Sequence, residues 1–344
     1  MRNLVTGGTG LLGSHIAERL VLAGEPVRVL VRPGSQTGFL ESLGVELVRG
    51  DLTEPASCEA AVAGIDTVYH AAAKVGDWGR WPEFQVGVID ATANLARAAA
   101  VANVQRFVHI SSTSAYGHPL EGGTPIDETA PLGQNLWRLW DYYTRSKVEA
   151  ERILWDLARE QSLRLTVIRP SWLFGERDRT TTARVVERLK RGGIPLVGRG
   201  DNPMSAVYAG VVADAAILAA RDAGSVGEAY NITDQGPISQ LDFFQLWAEA
   251  CEAAPVGRQR IPFTLVWTAA TALEAHGRLT HRKKPPVISR YAAWLMGRNL
   301  SYSTAKARQR LGWTPALGYR ESINRTVRWY LSLGAPAAPA RALA

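Results

Sequence analysis

The chain has 344 residues, 46% of them hydrophobic, enough for one large or two unequal domains with a sizeable core. A net charge of +7, with the cations spread out except at 278–284, suits solubility and attraction to anionic cofactors or lipid; it is no nucleic-acid footprint. Cys58 and Cys251 give neither a disulfide framework nor metal spacing, and no run reaches the roughly 18–20 apolar residues of a membrane span. The start of the chain reads as a strand rather than a secretion signal, so the expected compartment is a reducing cytoplasm.

Leu4 and Val5 begin a short strand, and Thr6-Gly7-Gly8-Thr9-Gly10-Leu11-Leu12-Gly13 follows at once. An amphipathic run from Leu11 to Leu22 predicts the helix behind it. Gly7, Gly10 and Gly13, three apart, suit a tight strand-to-helix turn, close approach of backbone to a pyrophosphate, and close packing of helix on strand. The helix N-terminus then aims its free N–H groups at the phosphates.

Val27–Val31 is a second strand. In a dinucleotide-binding fold an acid at its end holds the adenosine ribose hydroxyls; here the strand runs into Arg32, whose guanidinium suits a 2′-phosphate. NADP(H) is therefore favoured over NAD(H). Val45–Val48 is a third strand. Gly50-Asp51-Leu52 follows, where Asp51 either accepts from the adenine amine or caps the helix beginning near Glu54. Asp66–His70 is a fourth strand, ending in Ala71-Ala72-Ala73, small enough for a dinucleotide to lie against the backbone. A helix over Glu83–Ala102 leads to a fifth strand at Arg106–Ile110. This alternation predicts an α/β fold: a doubly wound parallel sheet covered on both faces.

The fifth strand ends in Ser111-Ser112-Thr113-Ser114-Ala115-Tyr116-Gly117, at the strand end where open parallel sheets place ligands. Tyr143 and Lys147 lie four apart on one helix face. An ammonium near a phenol lowers its pKa, so Tyr143 is the candidate general acid/base and Ser112 the hydroxyl that holds the reacting oxygen. Leu165–Ile168, Gly227–Thr233 and the helix Leu241–Ala253 follow. Ile261–Ala275 is apolar for about four turns and then turns basic through Arg278, Arg282, Lys283 and Lys284. It reads either as a core helix or as a lid over a greasy substrate that touches a membrane surface.

Together these motifs resemble the extended short-chain dehydrogenases/reductases, the NAD(P)-dependent epimerase/dehydratase superfamily. Thr6–Gly13 matches the TGxxGxxG fingerprint, Tyr143 and Lys147 the YxxxK pair, and Ser112 the family's Ser/Thr position. Arg169-Pro170-Ser171-Trp172-Leu173-Phe174-Gly175 resembles its RPxxxxG segment beside the nicotinamide. Arg290-Tyr291, Ser303–Arg308 and Leu311–Pro315 resemble the tail of the 3β-hydroxysteroid dehydrogenase/isomerase-like subfamily.

The resemblance implies a nicotinamide-binding Rossmann domain over 1–170 that includes the Ser-Tyr-Lys triad. It also implies a smaller substrate lobe, mainly 171–333, whose late strands return to the sheet, and an unstructured tail at 334–344. Cofactor contacts are expected from Gly7, Gly10, Leu11, Leu12, Gly13, Arg32, Asp51, Leu52, Ala71, Ala72, Ala73, Ser111, Tyr143, Lys147, Pro170 and Ser171. Substrate contacts are expected from Thr113 and Trp172. A homodimer is implied, and no metal.

The favoured activity is interconversion of a secondary alcohol and a ketone on an apolar, sterol-like or β-keto/β-hydroxy lipid substrate. A nucleotide-sugar epimerase is the alternative, but Trp172 stands where epimerases place an Asn. The diphosphate clamp would fall to Arg199, since no cation follows between Asp201 and Ala220. Dehydratases carry an Asp-Glu pair where this chain has Thr113-Ser114. A non-catalytic dinucleotide sensor is disfavoured because Tyr and Lys are both present.

Overall fold

The computed structural model describes residues 1–333 except 75, 122, 138, 139, 179, 180, 234, 235 and 237. The tail 334–344, expected to be unstructured, lies outside the described residues. Seven strands form the central sheet: β1 (Asn3–Thr6), β2 (Val27–Val31), β3 (Glu46–Arg49), β4 (Thr67–His70), β5 (Arg106–Ile110), β6 (Leu165–Pro170) and β7 (Glu228–Ile232). Their order is β3-β2-β1-β4-β5-β6-β7 and every pairing is parallel, a doubly wound sheet of the Rossmann type.

Burial on both faces explains the near-continuous apolar runs of these strands. Leu4, Leu30, Val68, Phe107 and Val167 face one core with Cys58, Leu95, Ala99 and Leu154. Their neighbours Val5, Val29, Tyr69, Val108 and Ile168 face the other, with Leu12, Ile16, Val212 and Ala216. That second face is covered by the helices Leu11–Leu22 and Ala209–Arg221. The latter is an alanine-rich element that the sequence analysis does not single out.

The helix expected over Glu83–Ala102 starts at Trp81, with Pro82 in its first turn, and passes through a π-helical turn at Gln85–Asp90 before Ala91–Val101. Asp51 caps no helix: the cap position of Pro55–Val62 is Glu54, and Asp51 Oδ1 accepts from Thr53 N at 2.9 Å in a tight turn.

The smaller lobe carries three two-stranded pairs: Trp172–Phe174 with Ala206–Tyr208, Pro203–Met204 with Ile238–Ser239, and Leu196–Val197 with Arg260–Ile261. Around them pack Gln240–Ala250, Phe263–Leu279 and Arg290–Gly297. Among the described residues no helix is long and apolar enough to cross a membrane, and no group of three or more His, Cys, Asp and Glu is placed to hold a metal.

The glycine turn sits at the end of β1, beside β4, where the strand order reverses. Gly7 has φ +71°, and a Cβ there would meet Ala72 N at 2.7 Å. A Cβ on Gly13 would lie 2.3 Å from Gly7 O. The helix therefore rests directly on the turn. Gly13→Ala forces backbone apart, an overpacking cost of about 2–3 kcal/mol. Helix propensity returns only about 1 kcal/mol. The expected net loss is therefore about 1–2 kcal/mol, read from urea unfolding; an unchanged midpoint would show that the turn yields.

Candidate active site

The crevice at the C-terminal ends of β1 and β4 is built for a dinucleotide. Gly10 is exposed at the N-cap of the Leu11–Leu22 helix and no side chain caps it, which leaves the first-turn N–H groups for a ligand. Leu12 and Gly13 are buried behind that turn, and Leu11 packs against the core. Ala71 and Ala72 donate to Thr6 O and Thr6 Oγ1, each at 3.3 Å, so the loop after β4 is drawn onto the turn.

Thr6 Oγ1 in turn meets His70 Nδ1 at 2.8 Å, and His70 Nε2 meets Thr92 Oγ1 at 2.9 Å; burial pushes this imidazole down to about 3. Leu52 O is held by Asn94 Nδ2 at 3.1 Å. Arg32 is exposed directly after β2. A cavity of about 270 Å³ opens beside the turn, lined by Gly8, Thr9, Ser14, Gln36, Phe39 and Arg177 among others. Arg177, which the sequence analysis misses, lies over the Phe39 ring at 4.2 Å and pairs with Glu18 at 2.7 Å.

At the end of β5 Ser112 caps a short 3₁₀ turn, Thr113–Tyr116, its Oγ accepting from Ser114 N at 3.1 Å. The next helix, Tyr142–Glu160, is capped by Asp141, which accepts from Thr144 N at 3.1 Å. That cap sets the helix so that Tyr143 faces the Ser112 end of β5. Lys147, one turn on, donates to Ile110 O at 3.4 Å. Ser112, Tyr143 and Lys147 all lie near the end of β5.

The electrostatics differ from the sequence expectation. Burial raises the Tyr143 phenol, and hydrogen bonds to Ser112 and Ser114 pull it only partly back. Burial also pushes the Lys147 ammonium down to about 8. Thr113, expected at the substrate, is buried and its hydroxyl bonds Tyr302.

Beneath these groups runs a buried polar chain. Ser111 Oγ donates to Glu151 Oε2 at 2.6 Å and Trp155 Nε1 to Glu151 Oε1 at 3.1 Å. Arg169 Nε reaches the same carboxylate at 3.0 and 3.2 Å, and its Nη2 pairs with Oε1. Arg169 Nη1 donates to Tyr116 OH at 2.9 Å, which donates to Asn231 Oδ1 at 2.7 Å. The pair to Glu151 holds the guanidinium above its ordinary range against the cost of burial. Pro170 ends β6, and the next residue, Ser171, has a buried Oγ with no hydrogen-bond partner, a polar atom suited to a nicotinamide amide.

The smaller lobe closes over Tyr143 with aromatic rings. Tyr291 meets Tyr143 edge-on at 5.6 Å, Trp294 lies on Tyr291 at 6.4 Å, and Trp137 links Trp294 to Trp267. His118 stacks on Trp137 and lies 2.8 Å from Asp141. A small cavity beside Tyr291 is lined by Asp77, Asp141, Glu274, Arg290 and two tryptophans. The other predicted substrate contact, Trp172, packs on Phe243 at 5.7 Å. None of Trp137, Trp267 or Trp294 sits in a motif that sequence reading recognises.

Residues 3–233 match the family model "NAD dependent epimerase/dehydratase family". The chain belongs to that family. It is 33% identical to the 3β-hydroxysteroid dehydrogenase/Δ5→4-isomerase of Mycobacterium tuberculosis, covering 96% of this chain and 91% of that one. It is 29% identical to the 2-alkyl-3-oxoalkanoate reductase of Shewanella oneidensis, over 93% of this chain and 84% of the relative. The dTDP-glucose 4,6-dehydratase structure from Streptomyces venezuelae with NAD bound shares the fold, with TM-score 0.75 at 23% identity over 96% of this chain and 97% of that one. The chain is a nicotinamide-dinucleotide enzyme of the alcohol dehydrogenase/reductase kind.

Removing Arg169 leaves the Glu151 carboxylate buried and uncompensated. Arg169→Met is expected to cost about 3–5 kcal/mol, and Glu151→Met/Arg169→Met to recover most of that loss. Denaturant titration of both variants checks this. A double variant no more stable than the single one would place the cost in lost packing.

Proposed function

We propose that this enzyme interconverts a secondary alcohol and a ketone on a largely apolar substrate, with Ser112, Tyr143 and Lys147 at the reacting oxygen. The observation that carries the reading is Tyr143 itself: its phenol lies beside the Ser112 strand end on one side and an aromatic wall, Tyr291 backed by Trp294 and Trp137, on the other. A pocket that is mostly apolar with a few placed polar groups suits a greasy ketone. The first 170 residues then serve as the cofactor domain, and residues 171–333 chiefly as the substrate lobe.

The glycine turn, the uncapped helix start and the orphan Ser171 hydroxyl fit a nicotinamide dinucleotide, with Gly7, Gly10, Gly13, Leu11, Leu12, Asp51, Leu52, Ala71–Ala73, Ser111, Pro170 and Ser171 around it. When bound, that cofactor supplies or accepts hydride at the carbinol carbon. In the reducing direction Tyr143 gives its proton to the substrate oxygen as charge builds there. Ser112 donates a hydrogen bond to that oxygen. The phenolate left behind forms one helical turn from the Lys147 ammonium, still charged at neutral pH with its pKa near 8. A phenol raised by burial keeps its proton until the substrate oxygen demands it.

The alternative substrate, a nucleotide sugar, needs cations around its diphosphate. Arg199 is exposed and tied to Asp201 at 2.7 Å. The named activities of the mycobacterial and Shewanella relatives support the alcohol–ketone chemistry.

Tyr143→Phe is expected to lower kcat by about two decades or more with cofactor affinity kept, in a cofactor-oxidation assay on sterols and β-keto lipids. Near-normal turnover overturns the role of Tyr143. We propose NADP(H) over NAD(H) because exposed Arg32 stands where an acid would repel a 2′-phosphate. Titration of both cofactors should show NADP(H) the tighter, with the preference reversed in Arg32→Asp; tighter NAD(H) binding by the unaltered protein refutes it.

A further inference from the structure

The Phe263–Leu279 helix has two unlike faces. Val266, Ala270, Glu274 and Gly277 are buried against the protein. On the opposite side Leu265, Ala269, Ala272, Leu273, His276 and Leu279 are exposed, at the spacing that lines up one face of a helix. Leu265 is 60% exposed, Leu279 77% and, in the loop that follows, Val287 97%. Arg282, Lys283 and Lys284 are exposed between Leu279 and Val287.

The structure divides the basic cluster. Arg278 turns inward: it lies over the Trp78 ring at 4.1 Å and donates to the carbonyls of Gly79 and Trp140. Arg282, Lys283 and Lys284 stay on the surface with the apolar side chains. From Pro262 to Ser289 the sequence holds one carboxylate, Glu274, and it is buried, bonded to Arg290 at 2.7 Å. The outer surface of this segment is therefore apolar and cationic with no acid on it.

We propose that this face docks on an anionic lipid surface, with Leu265, Leu279 and Val287 entering the headgroup boundary and Arg282, Lys283 and Lys284 pairing with lipid phosphates. An exposed apolar stripe beside a short polybasic run is the pattern of a helix lying in a membrane interface. A second copy of the chain fits less well: opposing two such faces brings like charges together with no carboxylate between them. The helix that would touch lipid also carries Trp267, which meets the aromatic wall over Tyr143 through Trp137. One element therefore joins the lipid surface to the substrate lobe.

The test is co-sedimentation of the full-length protein with phosphatidylcholine vesicles, with and without phosphatidylglycerol. Binding is expected only when phosphatidylglycerol is present, and it should be released by added salt. Arg282→Glu/Lys283→Glu/Lys284→Glu and Leu279→Ser/Val287→Ser should each weaken partitioning at least about tenfold, with unfolding temperatures unchanged because every altered side chain is exposed. Absence of binding, or binding that survives both variants, overturns the proposal. A concentration-dependent dimer lost in the Leu279/Val287 variant would assign the face to self-association instead. Vesicle binding is read without substrate or turnover, so its failure leaves the alcohol–ketone reading standing.

Discussion

The buried pairing of Glu151 with Arg169 is the constraint on which the reacting end of the sheet depends. A carboxylate removed from water survives ionised only if its lone pairs are filled. Here Ser111, Trp155 and Arg169 fill them. That requirement fixes the rotation and height of the Tyr142–Glu160 helix. Glu151 lies one turn beyond Lys147 and two beyond Tyr143, so seating the carboxylate under Ser111 seats the lysine under Ile110 and the phenol at Ser112. The same guanidinium passes the constraint to β7 through Tyr116 and Asn231. Reactivity at the surface of the site and ionic order beneath it are thus one packing problem.

Much of this is legible in the residues. The alternation of apolar strands with helices shows because parallel strands are buried on both faces and leave uninterrupted runs such as Val27–Val31. The glycine turn is legible because Gly7 and Gly13 answer to backbone contacts that leave no room for a Cβ. The Tyr-Lys spacing is legible because a helix repeats on itself in sequence. The Ala209–Arg221 helix is harder to read: it is buried nearly all round, so it lacks the two-sided pattern that marks a surface helix.

The substrate side resists reading for a different reason. Its aromatic wall draws Trp137 from one loop and Trp267, Tyr291 and Trp294 from two later helices, with no periodicity connecting them. Basic residues there also mislead, since charge in a sequence carries no direction. Arg278 reads as one of a basic run with Arg282, Lys283 and Lys284, yet it lies against the Trp78 ring. The phenol shows the same limit: spacing puts an ammonium near Tyr143, but only burial, a property of the whole fold, decides which way the phenol moves.

The seventh strand has a consequence for how the protein is made. Strand β6 lies beside β5, but its outer edge stays bare until Glu228–Ile232 leaves the ribosome, roughly sixty residues later. At about 5–20 residues per second that is a delay of several seconds. Through it a strand that ends fully buried shows open backbone to any passing chain. The nucleotide-binding half is therefore not a module that can mature first and wait. Its last strand follows Trp172–Phe174 and Ala206–Tyr208, so the nascent chain must thread the opening part of its second lobe before its first is sealed. A premature stop anywhere in that interval would release a sticky fragment rather than a small working domain.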